Sequence, residues 1–147
     1  MSEADAARDE EALLAGVDVA EETRIRVRLI GFYWHAQRRH DRARRPAYRA
    51  HVEWLIRNAP MIGLHPPYWH FERDKDGAAL CDELVRVWER HLQVRPDAPQ
   101  LWWNASSWCH YVDNDAGLSM ARRGEALSPH QLWTRRLASW ENWPPGG

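Results

Sequence analysis

The segment "ERDKDGAALCDE", residues 72–83, sets Glu72, Asp74, Asp76, Gly77 and Glu83 at positions 1, 3, 5, 6 and 12 of a calcium-loop pattern. Oxygen ligands at alternate positions, with a glycine at the sharp turn, are what a hard divalent cation needs. Two features oppose that reading. Glu72 stands where the shorter aspartate is wanted, and Pro60, Pro66 and Pro67 fall where an entering helix should be. The plainer expectation is that Asp74 or Asp76 caps a helix starting near Ala78.

Cys109 and His110 could form a nucleophile and base, but adjacent helical residues point about 100° apart and do not face each other. The eight histidines include no HxxxH pair and no Cys/His cluster with zinc spacing. No GxSxG, phosphate-binding glycine loop or HExxH is present. No recognisable catalytic constellation, metal site or cofactor site is expected. Arg24, Arg26, Arg28, Arg38, Arg39, Arg42, Arg44, Arg45 and Arg49 could contact phosphates. The net charge is only −1 and no recognition motif accompanies them, so nucleic acid ranks third among the partners considered.

The elements that must position these residues read as helices. The 147-residue chain suits one domain. Residues 1–20 are expected to be an acidic flexible arm, with a short helix around Glu10–Leu14. Eight acids before residue 23 (Glu3, Asp5, Asp9, Glu10, Glu11, Asp18, Glu21, Glu22) precede the arginine block of residues 24–57. Ile25, Leu29, Ile30, Tyr33 and Trp34 recur at helical spacing over 21–39, and Tyr48, Val52, Leu55 and Ile56 do so over 47–58. Residues 60–76 read as a long loop. Leu80, Leu84, Val85, Trp88 and Leu92 mark a helix ending before Pro96. Asp97 and Gln100 sit at capping-box spacing ahead of the next. "VDND" is a turn, Leu118, Ala121 and Leu127 lie on the following helix, and Ser128-Pro129 opens the last, which stops before Pro144. No strand is expected: the fold class is all-α, with about six helices. The acidic N-terminus lacks a secretion signal and no stretch is long enough to span a bilayer, so a cytoplasmic location is expected. The Asn104-Ala105-Ser106 sequon is then coincidental.

Pro96 and Pro129 lie 33 residues apart, each just after a helix, with helix, turn and helix between them. Trp102, Gly117, Gly124, Leu127 and Pro129 occupy positions by which this segment resembles a tetratricopeptide repeat. Ala105-Ser106 and Cys109 depart from the pattern. The resemblance covers residues 77–142 best. More loosely, "RIRVRLIGFY…AHVEWLIRNAP" is similar to the helical lead-in of uncharacterised bacterial tetratricopeptide-like proteins. It implies a single domain over 21–143 built of antiparallel helical hairpins in a right-handed solenoid. One repeat and a half is fewer than the three usually needed for a continuous core.

The segment "LWWNASSWCHY", residues 101–111, then divides. Trp102, Ala105, Ser106 and Cys109 share one helical face, flanked by Leu101 and Trp108, and are expected in the core. Trp103, Ser107 and His110 form a second stripe, which the resemblance places on a concave groove. With Trp140 of the last helix they are the expected partner-binding residues. The groove lacks the basic residues with which tetratricopeptide domains clamp a peptide's C-terminal carboxylate. The leading expectation is a non-catalytic module for a peptide, a partner protein or a second copy of the chain. The alternative is a small-molecule pocket under the 60–76 loop, walled by His65, Tyr68, Trp69 and His70.

Overall fold

A computed structural model describes residues 1–38, 42–65 and 67–142. Arg39 of the basic block and the stop expected at Pro144 lie outside the described residues, as does the Arg38 side chain. Every α-helical or 3-10 element found is helical, and no strand occurs among the described residues. The class is therefore all-α, with eight α-helices among the described residues against about six expected. Two lie outside the expected six: the arm is helical over Glu3–Ala15, longer than the short helix expected around Glu10–Leu14, and one short turn falls at the end of the 60–76 loop.

The chain divides into two compact units, Met1–Ala59 and Pro60–Gly147. In the first unit, α1 (Glu3–Ala15) packs on α2 (Val19–Arg38), and a 3-10 turn (Arg42–Arg44) leads into α3 (Arg45–Asn58). Ile25, Leu29, Ile30, Tyr48, Val52, Leu55 and Ile56 are buried, as their helical spacing requires.

Helix α1 replaces the expected flexible arm. Ser2 Oγ accepts from the Asp5 N–H at 3.1 Å while Asp5 Oδ2 accepts from the Ser2 N–H at 3.0 Å. This reciprocal cap satisfies donors that would otherwise fray the first turn. Gly16, at φ +89°, ends the helix by donating to the Ala12 and Leu13 carbonyls. Only Ala6 of α1 is buried. Partly buried Ala12 and Leu13 pack with it on the Ile25 and Leu29 cluster, and charge adds to this: Asp9 takes two hydrogen bonds from Arg28, at 2.9 and 3.1 Å, and Glu3 pairs with Arg44 at 2.9 Å. Glu10 accepts from Tyr33 Oη at 2.7 Å and from His51 Nε2 at 2.9 Å. Acidic residues that look like a solvated tail are the ones that dock it on the arginine block.

The second unit holds α4 (Arg73–Asp76), α5 (Ala78–Val94), α6 (Pro99–Val112), α7 (Asn114–Leu127) and α8 (Gln131–Glu141). Consecutive helices pack as neighbours from α4–α5 to α7–α8. Trp69, Trp88, Trp108 and Phe71 are fully buried. Helix α6 is buried around most of its circumference. Gly117 allows the close approach of α7 to α6, since a Cβ there would lie 2.6 Å from the His110 backbone.

Several caps differ from the sequence expectation. Ala98, not Asp97, precedes α6, and Gln100 Nε2 donates to Asn104 Oδ1 (2.7 Å) instead of closing a capping box. Helix α8 starts at Gln131, where His130 Nδ1 accepts from the Leu132 N–H at 3.1 Å. Gly77, at φ +96°, precedes α5 without a side-chain cap. Asp76 is buried and accepts from the Glu72 N–H (2.8 Å), so it closes α4 rather than capping α5.

Candidate functional site

Gln100, Trp103, Asn104 and Ser107 recur at i, i+3, i+4 and i+7 on α6 and line one wall of a cleft of about 310 Å³. Gly63, Leu64 and His65 supply another wall and Arg136 of α8 a third. Asn104 fixes the floor: its Nδ2 donates to the Pro60 carbonyl at 2.9 Å and its Oδ1 accepts from Gln100. Gly63 is required beside it, because a Cβ at 63 would lie 2.5 Å from Asn104 Oδ1.

Arg136 is the residue the sequence reading missed. Its guanidinium carbon lies 3.2 Å from the centroid of Trp103, 4.9 Å from Trp140 and 5.8 Å from Trp133. Nη1 donates to the Trp103 carbonyl (2.8 Å) and to Ser106 Oγ (3.1 Å). No carboxylate pairs with it among the described residues. The negative faces of the tryptophan rings offset part of the cost of desolvating the cation. Burial brings its pKa down to about 10, so it stays charged at neutral pH. A signal existed in "WTRRLASW": Trp133, Arg136 and Trp140 fall at i, i+3 and i+7, on one face of α8.

Of the four expected partner residues, Ser107 and His110 are buried and Trp103 and Trp140 are half-buried. Trp103 packs edge-on against Trp133, with centroids 4.8 Å apart, and is partly exposed. His110 is buried and stacks on Trp140 at 4.1 Å and 10°. His110 Nδ1 donates to Asn114 Oδ1 at 2.7 Å. Burial lowers the pKa of His110, with Arg136 acting in the same direction and the Asn114 bond opposing. Ser107 is buried, and its Oγ has no hydrogen-bond partner among the described residues. Rings of α8 thus pack on Trp103 and His110 of the stripe, and the cleft opens beside Gln100, Trp103 and Ser107.

The loop residues separate. Trp69 belongs to the core, not to a pocket wall. It packs edge-on with Trp88 at 5.7 Å, and its carbonyl accepts from Trp108 Nε1 at 3.0 Å. Its large apolar ring finds its burial in the unit's interior. His70 stacks on Tyr111 at 4.4 Å, and the Tyr68 N–H donates to the His65 carbonyl at 3.0 Å. Of the four, only His65 lines the cleft.

Comparison of the chain with protein-family models, curated proteins and solved structures yields no match. The functional reading therefore rests on the chemistry of the cleft.

The adjacent Cys109 and His110 are turned to different surroundings. Burial pushes the Cys109 thiol well up, and His110 turns to Trp140. Two acids of the calcium-like pattern have partners of their own: Glu72 pairs with Lys75 at 2.7 Å, and Asp76 accepts from the Glu72 N–H at 2.8 Å. No group of three metal-ligating side chains occurs among the described residues. Nor is any helix among them long and apolar enough to cross a membrane. In the first unit Arg24, Arg26, Arg28, Arg44 and Arg57 each pair with an acid.

Proposed function

We propose that the protein is a non-catalytic recognition module, a small tetratricopeptide-like helical scaffold that takes a peptide or partner segment in the α6/α8 cleft. The observation that carries this reading is the make-up of the cleft. Trp103 offers a partly exposed aromatic surface, Gln100 and Ser107 offer polar atoms, and Arg136 offers a fixed charge. Aromatic and arginine anchors beside hydrogen-bonding groups are what recognition sites concentrate.

Panning a random peptide library on the protein tests this. Supporting peptides bind the wild type and lose at least tenfold in affinity on Trp103→Ala. An empty selection, or peptides indifferent to that change, would overturn the peptide reading.

One observation favours a second reading, a small-molecule binding protein. The cleft of about 310 Å³ is at the lower end of ligand-pocket volumes, and Gly63–His65 of the 60–76 loop wall it. A thermal-shift hit from a metabolite library, abolished by Trp103→Ala while no peptide is selected, would establish it instead.

A further inference from the structure

We propose that the groove between α5 and α7 binds a free α-amino acid with a large apolar side chain, its ammonium group on Glu89 and its carboxylate on Arg123. This site is separate from the α6/α8 cleft and does not rest on the reading of that cleft.

Helices α5 and α7 pack on either side of the hairpin position held by α6, and a cavity of about 300 Å³ lies between them. Glu89, Leu92 and Gln93 of α5 recur at i, i+3 and i+4 along one wall. Met120 and Arg123 of α7 line the other, and Trp102 of α6 lies between. Its neighbour Trp103 lines the α6/α8 cleft. Adjacent helical residues point about 100° apart, so the two openings lie on different faces of α6.

The groove is apolar below and charged at its rim. Leu92, Trp102 and Met120 are buried, whereas Glu89, Gln93 and Arg123 are exposed. Trp102 Nε1 donates to the Pro96 carbonyl at 2.9 Å. That bond occupies the one polar atom of the indole, and the rest of the ring is apolar surface. An apolar lining with a few convergent polar groups is the make-up of a small-molecule site.

The rim charges choose the ligand. Glu89 and Arg123 have opposite signs on opposite walls, yet no ion pair joins either of them to another group among the described residues. A lone surface charge says little; two of opposite sign bordering one apolar cavity define a dipole. The Arg123 guanidinium carbon lies 5.0 Å from the Trp102 ring centroid, which holds the cation over the groove. A simple anion entering here meets Glu89, and a simple cation meets Arg123; each is disfavoured by the like charge. A zwitterion satisfies both walls. The guanidinium fork of Arg123 matches the two oxygens of the carboxylate, Glu89 accepts from the ammonium group, and an apolar side chain descends onto Trp102, Leu92 and Met120.

Isothermal titration calorimetry of the full chain tests this. The probes are L-phenylalanine, L-alanine, N-acetyl-L-phenylalanine and L-phenylalanine amide. Phenylalanine is expected to bind at least tenfold more tightly than alanine, which lacks the apolar body, and than either blocked form, which lacks one charge. Glu89→Gln removes the discrimination against the acetylated form, and Arg123→Gln removes that against the amide. Both residues are exposed, so neither change disturbs the core. Trp103→Ala leaves all these affinities unchanged.

Blocked forms or alanine binding as tightly as phenylalanine, or charge variants that keep the wild-type preferences, would overturn the site. Amino-acid binding lost on Trp103→Ala also overturns it, and moves the ligand to the α6/α8 cleft. If no probe binds at millimolar concentration while selected peptides still do, this site falls and the reading of the α6/α8 cleft stands.

Discussion

The guanidinium carbon of Arg136 lies 3.2 Å from the Trp103 ring centroid, and Nη1 of the same arginine donates to the Trp103 carbonyl at 2.8 Å. One side chain thus grips both the ring and the backbone of a residue on another helix. The pair ties α8 to α6 at the mouth of the cleft, so the wall of the site is also a joint of the fold. A double-mutant cycle with Arg136→Met and Trp103→Leu is expected to show a coupling of about 1–2 kcal/mol. Denaturant unfolding of the four proteins measures it, and purely additive losses would show that the contact does not couple the helices.

His51 and His110 predict the direction of the acid dependence. Burial is the largest influence on both, and each has its folded pKa below the ordinary 6.5. At His51, Glu10 opposes the shift and Arg26, whose Nη1 lies 3.0 Å from Nδ1, reinforces it. Between the folded and unfolded values the unfolded chain binds more protons, so stability falls as pH falls. The histidine contribution is complete above about pH 6.5 and is lost progressively below it. Unfolding free energy measured from pH 7.5 to about 5.5 should decline, with a shallower decline in His51→Gln and in His110→Gln. A flat profile, or identical slopes in the variants, would remove these histidines as the cause.

Glu10 joins α1 to both α2 and α3. Glu10→Ala would leave Tyr33 Oη and His51 Nε2 without this acceptor, and Ala6 is the only buried residue of the helix. A loss of about 1–3 kcal/mol in α1 attachment is expected from stranding buried polar groups. Hydrogen exchange should show faster α1 amides with α3 little changed. Unaltered α1 protection would mean that Arg28 and Arg44 suffice to hold it.

Two glycine substitutions should act in opposite directions. At Gly31, within α2, a Cβ would meet nothing within 4 Å, so Gly31→Ala is expected to stabilise by about 0.5–1 kcal/mol. At Gly117 the Cβ would lie 2.6 Å from the His110 backbone. Gly117→Ala would force α7 from α6 and destabilise by about 1–3 kcal/mol. Thermal melts check both, and a neutral Gly117→Ala would show that the hairpin can relax.

Much of the local structure was legible because helical burial is periodic. Leu84, Val85, Trp88 and Leu92 are apolar at helical spacing, and all four are buried on α5. Trp102, Ala105 and Cys109 were legible as core for the same reason. Helix α1 was obscured because its docking uses acids, and periodicity detects apolar faces rather than charges awaiting arginines. The short α4 was obscured by the prolines and glycine around it. At the site, the grouping of Trp103, Ser107 and His110 was legible from their positions on one helix. The packing of α8 rings on Trp103 and His110 was not.

The sequence by itself determined the helical class, most helix spans, the core face of α6 and the stripe that faces away from it. These follow from rules acting within about four residues along the chain. Only the tertiary structure decided that Trp69 enters the core, that Asp9 and Glu10 bind α1 to α2 and α3, and that Arg136 stands over Trp103. Those pairings join residues from 19 to 41 positions apart in sequence. Which side chains meet across such separations depends on how whole helices pack, and local spacing carries no record of that.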